Sequence, residues 1–272
     1  EQRKTYITRG VNNKYVTYLN DKETMKKNGN KLYFNKHHSK YLKRDWISLD
    51  ECSLDDFIKF TKKHNEFVVK PIDESCGKGV EKLKIDKNTN LEDLYNKLKA
   101  SHQTLAEECI NQNSEMSSLN PTSVNTVRIV TLKKDDGSIV ILFIGLRIGN
   151  SNKSVDNFNN GGLFTVVSDD GIVRKPAVDK IGNVYTKHPA TQKEIIGFKI
   201  PNFDKATSIA KECAKEMDGL RYIGFDVAIT QEDALIVEAN PFPGHDLFQS
   251  EVHLESDLKG LKPKFDKEIY GI

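Results

Sequence analysis

At 272 residues the chain is long enough to bury a sizeable core, as one large domain or as two smaller ones wrapped around a cleft. Its 41 Lys and Arg nearly balance 39 Asp and Glu, so the composition gives no ground for a nucleic-acid partner. The longest apolar stretch, Ile139 to Ile148, contains Gly145 and Arg147 and is too short and too polar to span a bilayer, which excludes a membrane-spanning role.

Between Glu1 and Asp45 the chain is basic, with twelve Lys and Arg against four Asp and Glu, and without strong periodicity. A solvated basic face and an anion-binding surface both suit it. The first residue is Glu1 rather than Met, which points to a trimmed chain or the tail of a longer polypeptide. Cys52, Cys76, Cys109 and Cys213 stand far apart with no CxxC pair, so neither zinc nor a disulfide framework is indicated. The expected compartment is a reducing cytoplasm.

Ser53 to His64 reads as a short amphipathic helix capped by Ser53, with Asp55 and Asp56 in its first turn. The strand Phe67 to Lys70 follows, ends at Pro71, and opens into a tip carrying Ser75, Cys76, Gly77, Lys78 and Gly79, after which Val80 to Ile85 returns. Asn90 to Ala100 is helical by the spacing of Leu91, Leu94, Tyr95 and Leu98, and Thr104 to Ile110 is extended. Thr126 to Leu132 and Ile139 to Arg147 read as antiparallel strands around an Asp-Asp-Gly turn. Leu163 to Val167 follows an Asn/Gly-rich loop, and Phe203 to Met217 is an amphipathic helix closed by Gly219. Tyr222 to Ile229 and Leu235 to Glu238 are the last pair of strands.

Alternation puts Phe225, Val227 and Ile229 on one strand face and Asp226 on the other, and gives Glu238 and Asn240 a common face. A turn centred near Glu232 sets Asp226 opposite Glu238. Two facing carboxylates repel unless a cation or a proton intervenes, and an Asp, Glu and Asn set is what magnesium prefers. One carboxylate on a solvated face is the plain alternative. Lys70 ends an apolar strand, where an ammonium needs an anion, and the glycines of the following tip permit close approach to phosphate. The tip is not a Walker A loop, and by itself an ordinary hairpin turn explains it better than a phosphate loop does.

Lys70 with the glycine tip, then Glu107-Glu108-Cys109-Ile110 with Glu115, then Asp226 and the Glu-x-Asn of Glu238 and Asn240, together resemble the ATP-grasp superfamily. The segments Ser123 to Arg128, Val155 to Phe158, Gly161-Gly162, His188-Pro189 and Asn240 to Gly244 resemble its sugar-transfer-associated branch. The resemblance implies an α+β ATP-grasp fold, two α+β lobes whose antiparallel sheets sandwich ATP. The superfamily's N-terminal α/β domain would be absent or reduced to residues 1–45, with a small lobe over 46–112 and a large lobe over 113–272. An acceptor-binding half is expected upstream or in another chain.

By the same resemblance, Lys31, Lys70 and the Ser75 to Gly79 flap would hold the phosphates, Glu107 to Ile110 the adenine, and Glu115 the ribose. Asp226, Glu238 and Asn240 would bind Mg2+. Arg128, Arg147 and Lys70 would stabilise the transferring phosphoryl group or grip a carboxylate. Asn157, Gly161, Gly162 and His188 would face substrate, although plain loop roles fit these four as well. The implied activity is ATP-dependent ligation of a small-molecule carboxylate to an amine through an acyl phosphate, on a sugar acid or amino acid used in surface polysaccharide. A phosphotransferase on the same fold and a non-catalytic polyanion-binding module are the competing expectations.

Overall fold

The computed structural model describes residues 1–74, 77–150, 161–245 and 248–271. Residues before Trp46 are helical: α1 (Arg9–Leu19), α2 (Lys22–Asn28), α3 (Lys31–His37) and α4 (Ser39–Leu42). Thr8, Asp21 and Asn30 cap the first three by accepting the amides of Val11, Thr24 and Tyr33. Helices this short are marginal in water, and α2 to α4, of 7, 7 and 4 residues, span too few turns to show a periodic pattern. Packing supplies what propensity lacks. Tyr15, Val16 and Leu19 share a core with Tyr222 and Phe265, while Phe34, Tyr41 and Leu42 join the core beneath the larger sheet.

Next come β1 (Trp46–Ser48), α5 (Leu54–Lys63), β2 (Glu66–Lys70), β3 (Glu81–Lys84), α6 (Leu91–Ala100) and β4 (Leu105–Glu108). The four strands form an antiparallel sheet in the order β1-β4-β2-β3. A full capping box between Ser53 and Asp56 starts α5. Phe57 and Phe60 of α5 and Leu98 of α6 pack on Phe67, Val69 and Ala106. Alternation then turns Val68, Lys70 and Glu107 to the opposite face, with Val68 directly across from Glu107.

After α7 (Ser114–Leu119), the larger sheet is built from β5 (Thr126–Lys133), β6 (Ile139–Ile148), β7 (Leu163–Val166), β8 (Ala177–Val178), β9 (Val184–Tyr185), β10 (Tyr222–Ile229) and β11 (Ala234–Asn240). Its order is β11-β10-β5-β6-β7-β8-β9, antiparallel throughout. Helix α8 (Phe203–Glu216) buries Ala206, Ile209, Ala210 and Cys213 in one core with Val127, Ile129, Phe225 and Val227. Asp226 and Arg128 are paired opposite one another and therefore share the other face. A C-terminal helix, α9 (Lys262–Tyr270), seats Phe265 against Tyr15 and Tyr222. The expected α+β arrangement is thus present, with a cleft between the free faces of two antiparallel sheets.

Candidate nucleotide and metal site

On the small-sheet side, Lys70 donates to Glu107 Oε2 at 2.8 Å, and both side chains are almost fully buried. Asn35 of α3 donates to Glu107 Oε1 at 2.8 Å, and Arg44 donates to Oε2 through Nε at 3.1 Å and Nη2 at 2.9 Å. Burial alone would raise the Glu107 carboxyl, but Arg44 and Lys70 outweigh it and hold it at about 2. Burial pushes the Lys70 ammonium down, and the nearby Arg44 charge adds to that against the pull of Glu107. One carboxylate is shared by two buried cations, so Lys70 is the under-compensated partner. A further anion would relieve it.

The flap begins at Pro71. Lys31, at the start of α3, donates its side-chain ammonium to the Glu74 carbonyl and its backbone amide to Ile72 at 2.9 Å. Gly79 sits at φ +68°, and a Cβ there would lie 2.7 Å from the Pro71 ring, so only glycine lets the flap fold back over β2.

On the large-sheet side the register brings Asp226 opposite Glu238 and Gly224 opposite Asn240. Neighbouring strands also supply two arginines. Arg128 grips Asp226 bidentately at 2.6 and 2.9 Å, and Arg147 donates to Asp226 Oδ2 at 2.8 Å. The compensation expected from a metal or proton is therefore provided for Asp226 by two guanidiniums. They outweigh burial and hold its carboxyl well below the usual range. Burial and the facing Asp226 push Glu238 up instead. Glu238 Oε1 accepts from Asn240 Nδ2 at 3.3 Å.

The donor set is all oxygen, with Glu238 and Asn240 touching and Asp226 adjoining, which fits a hard divalent cation. Such an ion would also remove the cost of ionising Glu238 beside Asp226. Asp226 enters that set with about three of its four lone-pair positions already used by guanidinium.

One cleft is lined by Lys31, Lys70, Gly77, Lys78, Glu107, Glu108, Ile110, Arg147, Asp226 and Glu238, so ten of the expected residues come together. Arg128 stands behind Asp226, and Asn240 behind Glu238. Gly79 shapes the flap without lining the cleft, and Cys109 faces a separate groove beside Thr230 and Gln231.

Glu115 is exposed on α7, paired with Lys193 at 3.2 Å, and does not line the cleft. Gly161 and Gly162 lead into β7, also outside the lining. His188 is fully buried, its Nε2 2.7 Å from the Gly149 carbonyl and its Nδ1 accepting the Ala190 and Thr191 amides. With both ring nitrogens committed to backbone, this histidine braces a loop and has no group left for substrate. Ser75, Cys76 and Asn157 lie outside the described residues.

Two cleft-building residues, Arg44 and Asn35, give no sign of themselves in the sequence, where they belong to the basic opening segment. The lysines around them are largely neutralised: Lys36 pairs with Glu51, Lys40 with Glu216, and Lys43 with Asp233. That pairing weakens the polyanion-binding expectation. No helix among the described residues is long and apolar enough to cross a membrane.

Comparison with solved structures places this geometry. D-alanyl-alanine synthetase A from Vibrio cholerae O1 biovar eltor str. N16961 matches at TM-score 0.55 and 12% identity, over 93% of this chain and 67% of that one. L-amino acid ligase from Bacillus licheniformis matches at TM-score 0.53 and 13% identity, over 91% and 49%. ATP-grasp ligase PsnB complexed with minimal precursor matches at TM-score 0.52 and 12% identity, over 93% and 64%. At such identities the likeness is one of fold, and the chain spans about half to two thirds of the length of these structures. No curated protein matches the sequence. The profile of the sugar-transfer-associated ATP-grasp family, by contrast, matches residues 10–259, and the chain belongs to that family.

Proposed function

We propose that the chain carries the nucleotide site of an ATP-dependent carboxylate–amine ligase. The observation that carries this reading is that, on each face of one cleft, two cations converge on one buried carboxylate. Arg44 and Lys70 share Glu107 on one face, and Arg128 and Arg147 share Asp226 on the other. Such a cleft favours a polyanion, and its apolar lining by Val68, Ile110 and Val237 suits a flat base.

In this reading Lys70, Lys31 and the flap hold the phosphates, and the segment from Glu107 to Ile110 meets the adenine through backbone groups. Glu107's own carboxylate is spent on Lys70, Arg44 and Asn35. Asp226, Glu238 and Asn240 would hold Mg2+, which neutralises phosphate charge. The substrate carboxylate attacks the γ-phosphorus and ADP leaves; an amine then attacks the acyl carbon, the carbon–nitrogen bond forms, and phosphate departs. Lys70, Arg128 and Arg147 would orient and neutralise the groups that carry negative charge. The family's association with sugar transfer favours a sugar acid or amino acid destined for surface polysaccharide, and the need for ATP favours the cytoplasm.

The test is an ADP-release screen of sugar acids and amino acids against a panel of amines, read by mass spectrometry. An amide that forms only when ATP, acid and amine are all present is the expected product. A phosphorylated acceptor formed without amine would replace ligation with phosphotransfer, and absence of Mg-ATP binding by calorimetry would sink both.

A further inference from the structure

Arg44, whose charge the ligase reading counts, also makes contacts that join the two halves of the cleft. Arg44 follows Lys43, whose backbone is left-handed at φ 46° and ψ 33°, and this turn at the end of α4 directs the next residue inward. The Arg44 side chain is 2% exposed. Nε and Nη2 donate to Glu107 in β4, Nη1 donates to the carbonyls of Ile236 at 2.9 Å and Leu42 at 3.4 Å, and Nη2 also reaches the Val237 carbonyl at 3.3 Å. All five guanidinium N–H groups therefore have an acceptor.

Strand β11 is an edge strand, so its outward carbonyls have no strand neighbour to serve them. The two that Arg44 serves lie at the register shift of β11, immediately before Glu238. One rigid, planar group thus runs from the counter-ion of Lys70 to the backbone that presents Glu238. A lysine, with its donors on a single nitrogen, cannot reproduce that fork.

We infer that Arg44 is a positioning residue that straps the small sheet to the edge of the large sheet that carries Glu238 and, by sharing Glu107, keeps Lys70 available to an anion. Without Arg44, Glu107 has only one cation to face and draws Lys70 more tightly, and the Ile236 and Val237 carbonyls lose the donors that Arg44 supplies. The strap is independent of nucleotide; its effect on Lys70 rests on the ligase reading.

The experiment separates the two. In nucleotide-free protein, Arg44→Met should raise amide exchange in Leu105–Glu108 and Ala234–Asn240 by about tenfold or more, with Phe203–Glu216 unchanged and Arg44→Lys in between. By calorimetry, Arg44→Met should weaken Mg-ADP binding by about tenfold, and the double variant Arg44→Met/Glu107→Gln should regain at least about threefold, because the stranded carboxylate no longer captures Lys70. A merely structural loss gives no such rescue. Exchange within about twofold of wild type at both strands, or no rescue in the double variant, overturns the inference. If wild-type protein does not bind Mg-ADP, the nucleotide reading falls by itself and the exchange data alone decide whether Arg44 is the strap.

Discussion

Asp226 and Glu238 face each other across one strand pair, yet replacing each by its amide should have opposite consequences for stability. Asp226→Asn leaves Arg128 and Arg147 buried beside a neutral amide, and removing one member of a buried, hydrogen-bonded charge cluster costs about 3–5 kcal/mol. For a chain of this size that corresponds to a fall of roughly 5–9 °C in the unfolding midpoint. Glu238→Gln removes a carboxyl that burial and Asp226 already drive toward its neutral form, and glutamine can still accept from Asn240. Its expected cost is below about 1 kcal/mol. Thermal unfolding by circular dichroism, with metal chelated and nucleotide absent, isolates this difference, while Mg-ADP calorimetry should show binding weakened in both variants. Equal stability losses in the two variants, or an Asp226→Asn protein as stable as wild type, would refute the assignment of Asp226 as the arginine-bound partner.

Glu107, held at about 2 against an ordinary 4.5, stabilises the fold above its unfolded-state value and loses that contribution as pH falls from about 4.5 toward 2. The difference between those two values bounds the contribution at about 3 kcal/mol. Denaturant midpoints should fall over that range more steeply for wild type than for Glu107→Gln, and parallel curves would contradict the buried cluster. Lys70→Met should leave the midpoint within about 1 kcal/mol of wild type, since Glu107 keeps Arg44 and Asn35, while lowering Mg-ATP affinity by at least about tenfold. Calorimetry beside chemical denaturation checks both halves. His188→Ala strands the Gly149 carbonyl and two amides and opens a cavity, at a cost of about 2–4 kcal/mol with KM for both substrates unchanged. A raised KM at unchanged stability would return His188 to the substrate site.

Local pattern carried much of the fold. Apolar alternation located β10 and β11 and set Asp226 opposite Glu238, and helix caps and spacing located α5, α6 and α8 within a residue or two. The basic opening segment was illegible because its helices are short and draw their stability from Tyr222, Phe265 and the core under the large sheet. The two-residue strands β8 and β9 are too short for alternation to register. Only contact with other elements defines them.

Residue type and strand parity are local properties, so the side chains with the chemistry for a nucleotide and a metal were legible before any contact was known. The sequence by itself could not determine what each of those groups touches. Arg128 meets Asp226 across 98 positions, and Arg44 meets Glu107 across 63. His188 spends both nitrogens on backbone that only the folded loop brings near. Whether a charge is solvated, paired or strapped between two sheets depends on burial and on distant partners, and those exist only in the tertiary structure.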